Sequence, residues 1–427
     1  MFKKLKKIIS KTDRSLFKKF GSDKSLKLLE NMKEARTIFS YLNEIGEESK
    51  VRFVGGCVRK SLCGEHIDDI DLATSLEPNE VKKKLDKNDV KVMDTGISYG
   101  TVTAIVNKKK FEITTLRKDV STDGRHARVE FTRNWEQDAS RRDFTINAIY
   151  ADLDGRILDP LNGALDLQNG RINFIGSPEE RIQEDYLRIL RYFRFFAQYS
   201  ETNCDQNTIQ SIKKNIDGIN KISKERIFDE LKKILSLKNV YNLFKNNQSK
   251  EIILNMFPEF KYPERLDKIS NLDQNLREKY DNFLILALLL VDQSNNHEYF
   301  CHKYKTSKSI ENRLNNISKN LENLKNKQFY SEENIKKLIY LSDKYYVRDL
   351  LLFSTCINSK IKTLNVKKLL DYAEVCKIPK FPISGDYLKK HGYESGAKLG
   401  KVLKSLEEKW IADNFNLDEK VLKKIIK

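Results

Sequence analysis

Residues 51–74, VRFVGGCVRKSLCGEHIDDIDLAT, decide the fold of the first part of the chain. An apolar segment ends in the glycine pair 55–56, Arg59 follows, and a second apolar segment contains Asp69 and Asp71. Short segments that are rich in β-branched residues and bounded by glycine or charge are typical of strands. Because side chains alternate along a strand, the two carboxylates are expected on one face of the second strand.

This arrangement suits the transfer of a phosphorylated group. Two carboxylates on one side can bridge two divalent cations, which activate a hydroxyl and neutralise a leaving pyrophosphate. Mg²⁺ fits because it prefers oxygen ligands and also binds substrate phosphates. The glycine pair leaves room for a triphosphate beside backbone N–H groups, and Arg59 provides a charged clamp. Without these neighbours, a DxD pair is more typical of an Asp-rich turn at a strand end.

Four segments early in the chain have the composition of strands. Beyond a turn-rich stretch at 160–178, apolar residues recur every three or four positions, which is typical of helices. The pattern predicts an α/β domain over 28–150 and a change near residue 180 to an all-helical remainder. The four predicted strands are VRFVGG at 51–56, DIDLAT at 69–74, GTVTAIV at 100–106 and FEITTL at 111–116.

A second informative stretch is EDYLRILRYFRF at 184–195, in which Asp185 and Arg188 are expected one helical turn apart. Asp accepts and Arg donates hydrogen bonds, so together they complement a base with an amino group beside a bare ring nitrogen. Cytosine and adenine have this edge, whereas uracil and guanine would leave costly unpaired contacts. The alternative is a solvated helix face held by ion pairs. The intervening aromatic residues are expected to face the helical core: Tyr192, Phe193, Phe195 and Phe196.

The composition indicates an anionic partner. The 427 residues have a formal net charge of +18 and are 39% hydrophobic, which is typical of a globular protein that binds nucleic acid. The basic stretch 1–27 is expected to contain an amphipathic helix. No membrane segment is expected, since the longest apolar run, at 283–291, is far shorter than the roughly 20 residues that span a bilayer. Six scattered cysteines predict reduced thiols and a cytoplasmic location.

Five ordered motifs make the sequence similar to class II tRNA nucleotidyltransferases, a family that includes CCA-adding enzymes and bacterial poly(A) polymerases, within the superfamily of DNA polymerase beta. The resemblance spans 51–235 and returns at 392–411. It implies an α+β fold with a small polymerase beta-like α/β head followed by an all-helical neck, body and tail. The motifs are GGxxR with DxD, ASRRDFTINAIY at 139–150, DPLNGALDL at 159–167, EDYLRILRYFRF, and ERIFDELKKIL at 225–235.

The resemblance also implies roles for individual residues. Asp69 and Asp71 would be the catalytic carboxylates and would hold two Mg²⁺ ions. Asp185 and Arg188 would serve as an amino-acid template for the incoming base. The full set of implied nucleotide-binding residues is Gly56, Arg59, Arg142, Asp185, Arg188, Arg191 and Arg194.

The implied reaction is the template-independent addition of C, C and A to the 3′ end of tRNA from CTP and ATP. An RNA 3′-hydroxyl attacks the α-phosphate in line and pyrophosphate leaves. Glu112 is a candidate third carboxylate by strand position, with a solvated strand residue as the equal alternative. The polar stretch 117–131 is expected to be a mobile loop that governs the change from C to A. Within it, His126 is expected to contact phosphate or the loop and not to act as a base.

The predicted domains are a basic N-terminal extension (1–27), the head (28–150), a neck with the base-recognition helix (151–240), and a helical body and tail that bind tRNA (241–427). Poly(A) polymerase activity, or addition of CC only or A only, remains open. No GRRFRLAH-like segment is present, which favours tRNA as the primer. A function of another class is a non-catalytic RNA-binding protein, against which the intact carboxylates and motif arginines argue.

Overall fold

The structure is a computed structural model that describes residues 29, 32–44, 48–123, 126–200, 204–358 and 363–417, with the backbone alone at 94, 95, 98, 120–123 and 126–129. The chain forms two compact units, Met1–Met256 and Phe257–Lys427. The predicted basic extension at 1–27 lies outside the described residues.

A mixed seven-stranded sheet forms the centre of the first unit. Its order is β3-β4-β5-β2-β1-β8-β9, in which β2 and β5 run parallel and the other neighbours run antiparallel. A separate two-stranded sheet pairs β6 with β7. The strands are β1 (Val51–Val54), β2 (Asp71–Thr74), β3 (Lys91–Gly96), β4 (Thr101–Val106), β5 (Lys109–Thr115), β6 (Arg117–Asp123), β7 (His126–Phe131), β8 (Tyr150–Ala151) and β9 (Ile157–Leu158).

The four strands predicted from the sequence are confirmed as β1, β2, β4 and β5. The strands that were not predicted are too short or too irregular to show the two-residue alternation of apolar and polar side chains. β3 has an irregular register between Met93 and Gly96, and β8 and β9 have only two residues each. These strands exist because neighbouring strands supply partners for their backbone groups, which no local pattern encodes.

The predicted loop over 117–131 is wrong in its secondary structure, because β6 and β7 form an antiparallel hairpin. Pairing between the two arms satisfies the backbone of a charged segment without requiring an apolar core. The side chain of His126 lies outside the described part of the chain. Its expected contact and the role of this segment in the change from C to A therefore stay predictions.

Eleven labelled helices accompany the sheet in the described part of the first unit. A buried cluster connects the sheet to the segment 139–150, here called the RRD segment. The cluster includes Val54 on β1, Ala73 on β2, and Ala139 and Ala148 of the RRD segment. The helices are α1 (Lys33–Leu42), α2 (Gly56–Leu62), α3 (Pro78–Asp86), α4 (Trp135–Ser140), α5 (Gly163–Gln168), α6 (Pro178–Glu184), α7 (Leu187–Tyr199), α8 (Gln206–Asn215), α9 (Lys224–Leu235), α10 (Asn242–Lys245) and α11 (Asn247–Met256).

The described part of the second unit is helical, as the sequence predicts. Its apolar run at 283–291 begins with the half-buried Phe283 on α14 and is buried from 284 to 291. No helix among the described residues is both long enough and apolar enough to cross a bilayer. The helices are α12 (Arg265–Ser270), α13 (Gln274–Arg277), α14 (Asn282–Leu290), α15 (Asn296–Tyr304), α16 (Lys308–Asn320), α17 (Glu332–Leu341), α18 (Lys344–Ile357), α19 (Thr363–Val375), α20 (Gly385–Lys390) and α21 (Ala397–Ala412).

Candidate active site

Acidic residues are neighbours at the beginning of β2, a strand in the interior of the sheet. Asp71 is the first residue of β2, whereas Asp69 lies just before it, so the predicted strand position holds for Asp71 alone. Asp71 is in register with Glu112 on the parallel strand β5. Burial raises the pKa of Asp71, and the carboxylates of Glu112 and Asp69 raise it further, against the lowering effect of Arg142. A cation would therefore stabilise the ionised acids.

The residues present fit a divalent cation. The chemistry of the donor set is appropriate, since Mg²⁺ is commonly held by one or two carboxylates together with substrate phosphates. Burial and the neighbouring carboxylates raise the pKa of Asp71, and a bound dication would offset this cost of ionisation. Within the described residues, no three His, Cys, Asp or Glu side chains are grouped as a metal site. Asp69 and Asp71 are the candidate ligands, and Glu112 is a neighbour of Asp71.

The glycine pair forms the turn between β1 and α2. Gly55 has φ +68°, a conformation that side chains rarely adopt, and a Cβ there would lie 3.6 Å from the carbonyl oxygen of Asn147 and 3.7 Å from Nη1 of Arg142. Both distances are ordinary van der Waals contacts, so the backbone conformation, and not a lack of space, requires glycine here. The conformation explains why this motif ends one strand and begins a helix within two residues.

A buried carboxylate, Asp138 on α4, organises the arginines of the RRD motif. It accepts hydrogen bonds from Nη2 of Arg142 at 2.8 Å, from Nε of Arg141 at 2.8 Å and from the hydroxyl of Tyr150 at 2.7 Å. Its side chain is 1% exposed, and the backbone N–H of Arg117 also donates to it at 3.4 Å. Arg142 is therefore held in place by a partner that the motif itself does not include.

Replacement of Asp138 by asparagine is expected to lower the free energy of unfolding by an amount that depends on pH. Burial opposes ionisation, but the ion pairs with Arg142 and Arg141 outweigh it and lower the pKa of Asp138 from 3.8 to about 2. Stability from a depressed pKa is fully present above the unfolded value and is lost as the pH falls through the folded value. This difference corresponds to about 2 kcal/mol at neutral pH.

Denaturant unfolding of the wild type and Asp138→Asn at about pH 7 and about pH 3 measures the effect. The gap in free energy of unfolding should narrow as the pH falls. The exposed Asp154, replaced by asparagine, is the control for loss of one surface carboxylate. A gap that stays constant would show that the arginines do not keep Asp138 ionised.

Three arginines surround the ring of Phe195 on α7. The guanidinium centres of Arg194, Arg59 and Arg191 lie 4.2, 4.6 and 5.7 Å from the ring centroid. Each contact between a cation and the aromatic ring is favourable by itself, but the three cations repel one another. An anion beside them would relieve this repulsion, so this end of the site suits phosphate.

Polar side chains fix two of these arginines. Arg59 is only 6% exposed and donates to the side-chain oxygen of Asn147 and, at 3.2 Å, to the hydroxyl of Tyr199. Asn147 in turn donates to Asp143 at 2.7 Å, and Asp143 also accepts from Nε of Arg191 at 2.7 Å. Burial opposes ionisation of Asp143, yet Arg191 and these hydrogen bonds lower its pKa to about 2. The result is a continuous polar network.

Arg194 has its own acidic partner on a neighbouring helix. Its Nε donates to Oε1 of Glu230 on α9 at 2.5 Å, and Glu230 is 2% exposed. The pKa of Arg194 is lowered, because burial and the repulsion of Arg191 and Arg59 outweigh the attraction of Glu230. A further anion would therefore be stabilised beside Arg194.

The predicted continuous helix through Asp185 is wrong. α6 ends at Glu184 and α7 begins at Leu187, and Asp185 between them has an extended backbone with φ −153°. The break arises because Oδ1 of Asp185 accepts the backbone N–H of Leu187 at 3.1 Å, a local bond that competes with the helix. Asp185 therefore lies just before α7, and it does not belong to the helix that contains Arg188.

The two predicted base readers each have a different partner. Oδ2 of Asp185 accepts from Nη2 of Arg226 on α9 at 2.7 Å. Arg188 forms an ion pair with Glu184 at 2.5 Å and donates to the carbonyl oxygen of Arg181 at 2.9 Å. Both side chains thus have polar partners already. A base that binds them would have to replace these partners, and its own hydrogen bonds would have to offset the loss.

The predicted site residues come together in one cleft of about 640 Å³ in the first unit. Eight cationic and four acidic side chains line it, so the cleft favours an anion. Glu112 is not among its lining residues. The predicted residues that line it are Gly56, Arg59, Asp69, Asp71, Arg142, Asp185, Arg188, Arg191 and Arg194.

Sequence reasoning missed the side chains that hold these arginines and acids. Most of them lie inside motifs that the sequence reveals, but the spacing of a motif does not show which residue elsewhere in the chain it meets. Phe195 was predicted to be a core residue, and its ring also contacts three arginines. The missed partners are Asp138, Asp143, Asn147, Glu184, Tyr199, Arg226 and Glu230.

Known proteins share both the sequence and the fold. A model described as Poly A polymerase head domain matches residues 51–173, and one described as Probable RNA and SrmB- binding site of polymerase A matches 203–262. The human CCA tRNA nucleotidyltransferase 1, mitochondrial, is 34% identical over 402 residues, which are 90% of this chain and 88% of the human one. This chain belongs to the CCA-adding enzyme family. The CCA-adding enzyme of Lactobacillus helveticus is 31% identical over 88% of this chain and 92% of its own.

Solved structures of CCA-adding enzymes have the same fold. The crystal structure of the Bacillus stearothermophilus enzyme in complex with CTP has a TM-score of 0.68 at 24% identity and covers 89% of this chain and 92% of its own. A CCA-adding enzyme in complex with ATP has a TM-score of 0.65 at 21% identity, with 96% and 97% covered. The predicted fold class and enzyme family are confirmed. Members of the CCA-adding enzyme family generally use divalent metal ions.

Proposed function

We propose that this chain adds C, C and A to the 3′ end of tRNA from CTP and ATP, without a nucleic-acid template. The observation that carries the proposal is the single cleft in which paired carboxylates, a fan of arginines and the Asp185 and Arg188 pair come together. Relatives over most of the chain are CCA-adding enzymes, and solved relatives hold CTP, ATP or a tRNA.

The nucleotide is proposed to lie along α7. Arg188 is near the start of this helix and Arg194 is six residues later, so the two are separated by about 9 Å along the axis. Asp185 and Arg188 form the base end. Phe195 with its three arginines forms the phosphate end. The ribose would then lie between them, near Arg191 and its partner Asp143.

Base selection follows from the two side chains at the base end. The carboxylate of Asp185 accepts from the amino group of cytosine or adenine, and Arg188 donates to the adjacent ring nitrogen. Binding requires the base to replace Arg226 and Glu184 as partners. A base that cannot complete both contacts leaves a polar group unpaired, which costs about 1–3 kcal/mol.

Asp69 and Asp71 are proposed to hold two Mg²⁺ ions. When bound, such ions acidify the attacking hydroxyl and offset charge on the leaving pyrophosphate. The arginines around Phe195 orient the triphosphate so that its α-phosphate faces the RNA 3′-hydroxyl. Glu112 is a proposed third acidic neighbour, because it is in register with Asp71.

The RNA substrate is proposed to contact the helical second unit, Phe257–Lys427. Lys and Arg side chains on a helical surface bind phosphates by charge and shape, without reading sequence. The formal net charge of +18 for the whole chain supports an RNA partner.

The proposal is tested with the full chain, Mg²⁺ and tRNA transcripts that end before, within or after CCA, with each nucleoside triphosphate supplied singly and together. Two C and one A should be added to the transcript that lacks CCA, and synthesis should then stop. Continued addition of A would indicate a poly(A) polymerase, an activity that the matched head-domain model keeps as the alternative. No incorporation by the wild type would sink the enzymatic proposal.

We further propose a cytoplasmic location. All six cysteines are free thiols in the structure, as expected for a reducing compartment. Fractionation of cells that express the tagged chain would test this. Matched relatives include mitochondrial proteins, so an organelle is the alternative location. Enrichment of the tagged chain in an organelle would contradict the proposal.

A further inference from the structure

A second cavity, here called the exit groove, adjoins the phosphate end of the cleft. It has a volume of about 1220 Å³ and shares the lining residues Arg194 and Lys233 with the cleft, so the two spaces are neighbours at these side chains. Neither the base-reading residues nor Asp69 and Asp71 line it. Its cationic lining residues are Lys60, Arg194, Lys232, Lys233 and Lys238.

The two helices that form the cleft give the exit groove a direction. α7 and α9 contact each other, and both have their base-end residues near their first turns, Arg188 on α7 and Arg226 on α9. The groove is lined farther along both helices, by Ala197 and Gln198 on α7 and by Lys232 and Lys233 on α9. It therefore lies beyond the phosphate end, on the side away from the base.

The third wall of the groove comes from the end of α2 and the segment that leads to the catalytic acids. Lys60 on α2 forms an ion pair with Asp68 at 2.8 Å, and Glu65 and His66 also line the wall. On the opposite wall, Lys232 forms an ion pair with Asp229 at 2.8 Å, and Lys233 lies 3.4 Å from Glu230. Among the described residues, Lys238 has no acidic partner within ion-pair distance. The groove is thus lined by lysines that are exposed enough to contact a mobile anion.

We propose that the exit groove binds the pyrophosphate that leaves in each nucleotide addition and conducts it to solvent. This inference rests on the proposed function. In that reaction the O3′–Pα bond forms and the bond from Pα to the bridging oxygen breaks. The electron pair of the broken bond leaves with pyrophosphate, and the proton of the hydroxyl passes to solvent.

The geometry favours pyrophosphate over the RNA strand as the occupant. In an in-line displacement, the leaving group departs on the side opposite the attacking hydroxyl. Arg194 lies 4.2 Å from the ring of Phe195 at the proposed phosphate end and also lines the groove, so leaving phosphates at that end would lie beside the groove. Exposed lysines bind such an ion weakly, which suits a product that must be released.

The test compares the double variant Lys232→Ala/Lys238→Ala with a matched control, Lys213→Ala/Lys214→Ala. The control removes two exposed lysines from α8 in the same unit, outside both cavities. Inhibition of CCA addition by added pyrophosphate is measured, together with the KM for pyrophosphate in the reverse reaction and the KM values for CTP and tRNA. Thermal unfolding checks that all variants remain folded.

The groove variant should weaken pyrophosphate inhibition and raise the KM for pyrophosphate by about three- to tenfold, since exposed ion pairs are worth up to about 1 kcal/mol each. The KM values for CTP and tRNA should change less than about twofold, and the control should behave as the wild type. A raised KM for tRNA with unchanged pyrophosphate constants would place RNA in the groove and overturn the proposal. Unchanged constants throughout would also overturn it, whereas an inactive wild type would refute the proposed function itself.

Discussion

Replacement of Asp71 by asparagine is expected to lower the rate of nucleotide addition by at least about a thousandfold, because catalytic charge stabilisation at such a site contributes several kcal/mol. The change keeps the shape of the side chain and removes its charge. Single-turnover incorporation of CMP into tRNA ending before CCA measures the loss. Asp69→Asn should have an effect of the same kind, since both acids line the cleft.

The stability of Asp71→Asn separates a catalytic role from a structural one. Burial and the carboxylates of Glu112 and Asp69 raise the pKa of Asp71, so ionisation of this side chain costs more in the folded chain than in the unfolded chain. Loss of the charge should leave the melting temperature unchanged or raise it. The stabilisation of the wild type by Mg²⁺ with CTP should decrease in the variant.

Asp154→Asn is the matched control for Asp71→Asn. It removes an exposed carboxylate of the same unit that pairs with Arg156, and its rate should equal that of the wild type. Near-normal incorporation by Asp71→Asn would contradict the assignment of Asp71. An inactive variant with a much lower melting temperature would indicate misfolding instead.

Exchange of Asp185 for alanine is expected to reduce discrimination between C and U by roughly five- to 150-fold, the value of about 1–3 kcal/mol for a bidentate base contact. The variant removes the acceptor for the amino group of the base. Single-nucleotide incorporation with each of the four triphosphates measures the ratio of kcat/KM for the right and wrong bases.

Asp185→Asn distinguishes base reading from helix capping. An asparagine side chain can still accept the backbone N–H of Leu187, which Asp185 does at the start of α7. Its amide can also donate to the carbonyl of uracil. Loss of discrimination with retained stability supports base reading. Strict selection of C and A by both variants would show that the choice is made elsewhere.

The sequence indicated those parts of the site whose backbone conformation is set by residues close by in the chain. β1, the glycine pair and the start of β2 follow from spacing and composition within residues 51–74, because strand alternation and glycine conformation are local properties. Asp71 could therefore be placed on its strand, whereas Asp69 lies before the strand and was a candidate through the DxD spacing alone. The helical second unit was predictable for the same reason, since its apolar residues repeat with the helical period.

Local preference failed where a distant or competing partner decides the conformation. The letters EDYLRILR predict one continuous helix, but Asp185 accepts the N–H of Leu187 and an ion pair with Arg226, 41 residues away, holds its other oxygen. The stretch 117–131 is polar enough to predict a loop, yet its two arms pair with each other. In both cases the backbone satisfies its hydrogen bonds in a way that composition does not specify.

Sequence patterns alone predict which residues would carry the chemistry: two acids, the arginines and the proposed base-reading pair. Only the tertiary structure decided how they are held, with Asp138 beneath Arg142, Asp143 beside Arg191 and Glu230 beside Arg194. The physical reason is the range of the interactions. Strand and helix periods act over a few residues, whereas buried charges must find opposite charges wherever the fold brings them, because an unpaired ion in the interior is too costly to keep.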